Sequence, residues 1–570
     1  MSRRIWYSLT FALVLLSAPI FADQAAEEQK LQDLAQEYVK LSFSFDPVYA
    51  SEMGDNSPEY MRYPDYSRRS INKFESSLRG LLRDLRKVKQ GDLSVDGKID
   101  YELLESDIST QLLYLGHSKL VRDNPKAMSS SAINGVYYVL ISTPDPDSAE
   151  LELILKRLED LPRFLGSAKS ILNRPPRLWS ALAEDEADQG TEMLTDLAAY
   201  FTERVPSRTA TIQQRFDAAT TALESFVELM DAMQLVQDSD VSFGKKNYNE
   251  LLHVHHFLDF DADSLLRLGE YLFDDASARY DSVRAIVDTL PPLEDQTYFV
   301  PKSFSSSDVL DYFQWEINQS RDWVMETGYA TVPADIGECV PVETPAFLRN
   351  IIGGVAYQPP GPFAKMKRGL FYVNPLPDTL DETSRSAYFR YCMQRGFRSS
   401  TVHEAYPGHH LQLQLASRNP SYIRRLQQNN LMVEGWALYC EQTVYEEGFY
   451  GDDPRAYLRV LGGVLFRAAR IIVDVKLHTG QFTYQDAVGW MTENLNAPIE
   501  FVETEVSRYT LTPTQPMSYL LGKLEIQDIR DLYISQHPDD FDLEAFHDML
   551  LSQGSIPPRL VYLKLSGGIK

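Results

Sequence analysis

The chain has 570 residues, 44% hydrophobic and 24% charged, an ordinary balance for a globular protein long enough to bury large cores. Its formal net charge of −26 argues against nucleic acid or an anionic membrane surface as partner, since both select clustered Lys and Arg. Three cysteines, Cys339, Cys392 and Cys440, are too few for a disulfide framework and read as buried small apolar residues, with one bridge and one thiol left over as the alternative.

In chain order, Arg3 and Arg4 precede an apolar run from Leu9 to Leu16, and small residues lead to Phe21-Ala22-Asp23. This pattern predicts a secretory signal over residues 1–22, cleaved after Ala22. The run is short for a membrane span of about 20 residues. An exported protein is expected, periplasmic or secreted, with no membrane span once the signal is removed.

Residues 23–290 read as an N-terminal helical half. Glu75 to Lys89, Ala149 to Leu161, Thr191 to Arg204 and Thr209 to Leu235 repeat apolar residues at three- and four-residue spacing. Asp92 to Asp96 and Asn173 to Pro176 read as breaks. Thr143-Pro144-Asp145-Pro146-Asp147 reads as a loop, with Ser148 as cap of the following helix. Prolines 291, 292 and 301 mark a boundary within Val287 to Ser303, so that residues 291–570 form the second, catalytic half.

Helical spacing resumes from Asp308 to Met325. Between Val332 and Pro377, Pro and Gly become frequent, and Gly369 to Asn374 reads as a short strand. Helical patterning returns near Ser384 and persists to about Leu551. The predicted fold is mostly α, a large helical fold with a central cleft and a small β element before the histidine motif.

That motif carries the chemistry. Three of the ten histidines fall in His403-Glu404-Ala405-Tyr406-Pro407-Gly408-His409-His410, and Glu434 follows 24 residues after His410. Hydrolytic zinc sites commonly hold the ion with three side chains and leave the fourth position to water. A neighbouring carboxylate takes the water's proton. In the usual helical version two histidines stand at i and i+4, with Glu at i+1. Here Pro407 occupies i+4, and the histidines stand at i+6 and i+7. On an undistorted helix, i and i+7 lie about 10.5 Å apart along the axis, too far to share an ion. The helix must therefore bulge or break at Pro407-Gly408, where Pro lacks a donor and Gly permits unusual dihedrals. Looping out two residues makes His409 the ligand, and as the smaller distortion this is favoured; looping out three makes it His410.

Glu404 suits the general base, and Glu434 the third ligand delivered from a second helix. The bland alternatives are a solvated helix carboxylate and a helix N-terminal acid. Glu441, about two turns beyond Glu434, is a weaker supporting candidate. A hydrolytic oxyanion needs a further donor, for which Arg470, His478, Arg508, Tyr509 and Tyr519 are candidates; Tyr519 and His478 are preferred. His253-Val254-His255-His256 has no cysteine nearby and reads as packing or surface histidines rather than a second metal site.

The stretch Thr401 to Gln412 and Glu434-Gly435-Trp436-Ala437-Leu438-Tyr439 resemble the domain-of-unknown-function 885 family of bacteria. So do Arg467-Ala468-Ala469-Arg470 through Asp474 and His478, Pro513 to Gly522, and Phe546-His547-Asp548. The resemblance covers most of the mature chain. It implies a largely helical, gluzincin-like zinc metallopeptidase fold and names no substrate. It also gives the short strand a role, because a strand beside such a site often binds the substrate backbone by strand addition; Leu370 to Asn374 is the candidate, with an ordinary covering hairpin as the alternative.

The expected function is an exported zinc peptidase. His403, Glu434 and one of His409 or His410 bind Zn2+, Glu404 activates water, and short or unfolded peptides are cut. From another class comes a non-catalytic peptide-binding or envelope-assembly protein on the same fold, which has no need of a base at Glu404. A zinc hydrolase of non-peptide amides or esters is the third reading.

Overall fold

The computed structural model describes residues 6–117, 122–142, 148–236, 241–291, 305–349, 352, 354–376, 380–395 and 397–569. Of residues 6–22, 148–149, 388, 390–395 and 397–398 only the backbone is described. The leader's side chains, the loop expected at 143–147 and most of the boundary expected at Val287 to Ser303 thus lie outside the described residues.

The fold is mostly helical, with one three-stranded sheet. Among the described residues no helix is long and apolar enough to cross a membrane. Local chemistry explains where helices begin and which face they bury. In the helix Arg68–Leu85, the Ser67 hydroxyl accepts from the Ser70 N–H, and Phe74, Leu78, Leu81 and Leu85 form the buried stripe. In Thr209–Ala232, the buried residues Ile212, Phe216, Ala219, Leu223, Phe226 and Met230 alternate steps of four and three. That seam packs against Ser148–Gly166 and Arg177–Arg204, which with Pro125–Ile141 form a bundle. The helix Ser306–Thr327 starts with a reciprocal Ser305–Asp308 cap and ends at Gly328, whose φ of 64° suits a residue without Cβ. The main apolar core runs from Leu31 to Val561, and a separate cluster holds Leu431, Leu438 and Tyr519.

The strands are β1 (Cys339–Glu343), β2 (Val355–Gln358) and β3 (Gly369–Val373), in the order β1-β3-β2. β3 pairs parallel with β1 and antiparallel with β2. This corrects one expectation. The strand anticipated at Leu370 to Asn374 exists, but it is central and wholly buried, so neither edge can accept an added strand. The edge beside the histidine motif belongs to β2, hidden in the Pro- and Gly-rich stretch that gave no strand signal.

Cys339 and Cys440 are free and buried, as their apolar reading anticipates; the side chain of Cys392 lies outside the described residues. The helices Asn430–Glu446 and Gln515–Gln536 carry Glu434 and Tyr519 respectively. They meet through two glycines. A Cβ on Gly522 would stand 1.9 Å from the Leu431 carbonyl oxygen, and one on Gly435 would stand 2.4 Å from the Gly522 carbonyl carbon. Backbone cannot yield as a flexible side chain can, so Gly522→Ala is expected to cost about 1–3 kcal/mol. Gly489→Ala is the control, because its helix position is open and Ala is the better helix former. Urea unfolding of both variants checks this: the midpoint falls for Gly522→Ala and does not fall for Gly489→Ala.

Candidate metal centre

Two short helices carry the histidine motif. Phe397–Glu404 ends at the carboxylate, and His409–Ala416 begins at the second histidine. Gly408 N–H donates to Val402 O at 3.0 Å, and Leu411 N–H donates to Ala405 O at 3.4 Å. Both bonds span six residues instead of the helical four, so the link holds two residues in excess. That excess puts His409, not His410, where the fourth residue after His403 would stand. The break falls where expected. Gly408 has φ −70° and ψ −134°, outside both the helical and the extended regions. A Cβ there would also lie 1.9 Å from His403 O, so close backbone approach demands the glycine.

The glutamate helix clamps this turn. Trp436 Nε1 donates to Pro407 O at 2.9 Å, and Gln412 Nε2 donates to Met432 O at 2.9 Å. Trp436 lies two residues beyond Glu434, so one helix both supplies the carboxylate and holds the turn. Sequence reasoning did not single out Trp436; an indole beside a glutamate says nothing of its partner until the turn lies under it.

His403, His409 and Glu434 come together as the one group of potential metal ligands among the described residues. Glu434 Oε2 stands 3.5 Å from His403 Nε2 and 3.4 Å from His409 Nε2. Donors held about 2.0–2.1 Å from one tetrahedral ion stand about 3.3 Å apart, so the spacing suits a four-coordinate cation. Glu434 Oε2 is buried without a hydrogen-bond partner, an orphan that a cation would satisfy. Burial disfavours the charged form of His403, but Glu434 and Glu441 outweigh it and lift the imidazole to about 10. Burial likewise works against the Glu434 carboxylate, and His403 and His409 pull it well below its usual range. A proton on His403 thus occupies the charge balance that a cation would take over.

Glu441 supports the cluster from behind: its Oε1 lies 2.8 Å from His403 Nδ1. Such a carboxylate orients a ligating imidazole and leaves Nε2 to face the ion. Glu404 lines the same cavity of about 820 Å³. Burial raises its carboxyl group, against the pull of His403 and His409, and the Tyr357 N–H of β2 helps to hold the charge. Tyr519 also lines the cavity, its ring 6.4 Å from that of His403. Gln515 Nε2 donates to its hydroxyl at 3.1 Å, so the hydroxyl's own hydrogen remains for the cavity.

Other residues marked in the sequence lie elsewhere. His410 is buried away from the cluster. Its Nε2 donates to Gly337 O at 2.9 Å, since a carbonyl can only accept, and its Nδ1 then accepts from the Tyr357 hydroxyl at 2.9 Å. Burial lowers it to about 4, so it stays neutral and ties β2 to the second histidine helix. His478 is also outside the cavity, because its helix turns it into the core, where Nε2 donates to Tyr509 O at 3.0 Å. Tyr509 is committed to Glu505 and Arg470, each at 2.7 Å. In the other histidine run, His256 is buried, with Nε2 2.9 Å from Thr514 Oγ1 at the start of the Tyr519 helix. That run forms a π-helical turn over Leu251–His255, and at least its last member packs rather than ligates.

Replacing Trp436 by Phe keeps an aromatic side chain but removes the donor to Pro407 O and leaves a gap where the rest of the buried indole packed. An unsatisfied buried carbonyl costs about 1–3 kcal/mol, so Trp436→Phe should lower the urea midpoint with an unchanged slope.

No curated protein matches the chain. Two solved structures resemble it along nearly their whole length. One, described as a candidate lipoprotein of unknown function from Shewanella oneidensis, is 21% identical with a TM-score of 0.73, covering 93% of this chain and 98% of that one. The other, described as a candidate lipoprotein from Colwellia psychrerythraea, is 18% identical with a TM-score of 0.71, covering 95% and 99%. At such identities the likeness establishes the fold alone. The family model of bacterial proteins of unknown function designated DUF885 matches residues 47–564, and the chain belongs to that family.

Proposed function

We propose that the chain is an exported zinc peptidase with a gluzincin-like site. What carries the reading is the convergence of His403 Nε2, His409 Nε2 and the orphaned Glu434 Oε2 on one point, with the Glu404 carboxylate in the same cavity. Two imidazoles and one carboxylate are a donor set that zinc hydrolases use. His403, His409 and Glu434 would hold the ion, with Glu441 orienting His403. Bound zinc supplies an acidified water and polarises a carbonyl oxygen.

The protein's own residues do the rest. Glu404 takes the water's proton and passes it to the departing amine, a role suited to a carboxylate that burial makes more basic. The Tyr519 hydroxyl, oriented by Gln515, donates to the oxyanion as the carbonyl becomes tetrahedral. The Val355–Gln358 edge, with Val355, Ala356 and Tyr357 lining the cavity, offers backbone groups to an extended peptide, and His410 steadies that edge through Tyr357. Export is supported by the basic and apolar N-terminal pattern and by the description of both structural neighbours as candidate lipoproteins.

Two experiments test the reading. Zinc content and cleavage of a mixed peptide library are compared for wild type and Glu404→Gln; the variant should keep one zinc per chain and lose at least about 10²-fold in kcat, the scale of a lost general base. Wild type that takes up no zinc, or a variant that still cleaves normally, sinks the proposal. Separately, His409→Ala should abolish zinc binding, whereas His410→Ala should retain it. In excess zinc at about 100 times Kd, wild type should gain about 2.7 kcal/mol of stability, a gain that His409→Ala should lack.

A further inference from the structure

Four arginines line the cavity beside the histidine cluster. Arg459, Arg467 and Arg470 project from the helix Pro454–His478, and Arg508 from Ile499–Tyr509. Their acidic partners are too few. Arg470 and Arg508 share a single oxygen, Glu505 Oε2, at 2.6 and 3.1 Å. Arg467 lies 3.5 Å from Glu441 Oε1, which already serves His403, and its Nε has no hydrogen-bond partner. Arg459 has neither an ion-pair nor a hydrogen-bond partner among the described residues. Four glutamates also line the cavity, Glu404, Glu434, Glu441 and Glu505. A divalent ion held by neutral imidazoles would leave the cavity with an excess of two positive charges.

With the ion bound, this local sign would oppose that of the whole chain, whose net charge is −26. An anionic substrate is repelled by the protein at large and needs a focused cationic site to be held. Guanidinium groups suit a carboxylate in particular, because their paired N–H groups match its two oxygens. The distances set the reach. The Tyr519 ring lies 6.4 Å from that of His403, and the Arg470 and Arg467 guanidinium groups lie 4.6 and 5.7 Å from the Tyr519 ring. An extended chain advances about 3.3–3.6 Å per residue, so about two or three residues separate the cluster from Arg467 and Arg470, and Arg508 stands beside Arg470 at Glu505.

We propose that Arg459, Arg467, Arg470 and Arg508 form a carboxylate-binding subsite, which selects peptides carrying a carboxylate about two or three residues beyond the bond to be cut. Arg459 and Arg508 are its specificity-determining groups: the first has no partner to give up, and the second shares its only carboxylate. The inference rests on the proposed zinc site for the position of the cut and for the cavity's positive excess, and on the arginines for the recognition.

Binding is therefore measured apart from cleavage. Tetra-alanine as the free acid, as its C-terminal amide, and as an amidated analogue ending in Glu is titrated calorimetrically into zinc-loaded Glu404→Gln protein. The free acid should bind at least about tenfold more tightly than the amide, a difference within reach of one charge-assisted contact. In Arg459→Gln and in Arg508→Gln, each added to Glu404→Gln, the ratio should fall towards one, and Arg459→Lys should recover part of it. Recovery of binding by the Glu-ended amide would mean that a side-chain carboxylate serves; its failure would confine the subsite to the chain terminus. Equal binding of acid and amide, an unchanged ratio in both arginine variants, or no binding of any peptide overturns the proposal. Cleavage by wild type is read separately. Selective binding without cleavage would sink the peptidase reading and leave the subsite standing; cleavage without selectivity would do the reverse.

Discussion

Everything at the site depends on a backbone that comes closer than side chains normally allow. The link between the two histidine helices holds two extra residues, and it closes because Gly408 lies against the His403 carbonyl with no Cβ between them. The same device recurs where the glutamate helix meets the tyrosine helix at Gly435 and Gly522. Two contacts without side chains thus set four helices at distances that let His403, His409, Glu434 and Tyr519 face one cavity. Trp436 joins the two contacts, since its indole holds the turn from the helix that carries Glu434.

Burial then imposes an electrostatic demand. Two imidazoles and several carboxylates are withdrawn from water, and each is tolerable only because another compensates its charge. Glu441 answers His403, Glu505 answers Arg470 and Arg508, and Glu434 is left with an oxygen that nothing satisfies. The excess lies in two places: an unfilled acceptor at the cluster, and surplus guanidinium groups a few residues away. A structural network would close on itself. This one is open at the points that face the cavity.

How much of this was legible depended on how local each relation is. His403 and Glu404 are neighbours on one helix, and Glu434 stands in a periodic pattern, so residue type and spacing identified them. The need for a break at Pro407-Gly408 followed from helix geometry alone. For the choice between His409 and His410 it offered only a preference for His409 as the smaller distortion, because the choice turns on the number of residues held in the link. His478 shows the converse: it shares a helix with Arg470, but its face meets the Tyr509 carbonyl instead of the cavity. β2 left no signal, since four residues among prolines and glycines become a strand only when β3 is present to pair with them.

The sequence by itself determined the mostly helical class, the position of the small β element, the histidine motif with its glutamates, and membership of the DUF885 family. These rest on periodicity and on short-range spacing, which the chain carries wherever it folds. Only the tertiary structure decided which histidine joins the cluster, which strand presents an edge, that Glu441 and Trp436 support the site, and that four arginines share too few acids. Those are relations between segments tens to hundreds of residues apart. They are set by which faces pack and how closely; the histidine link alone lies within one window, and even its closure shows only once the backbone is folded.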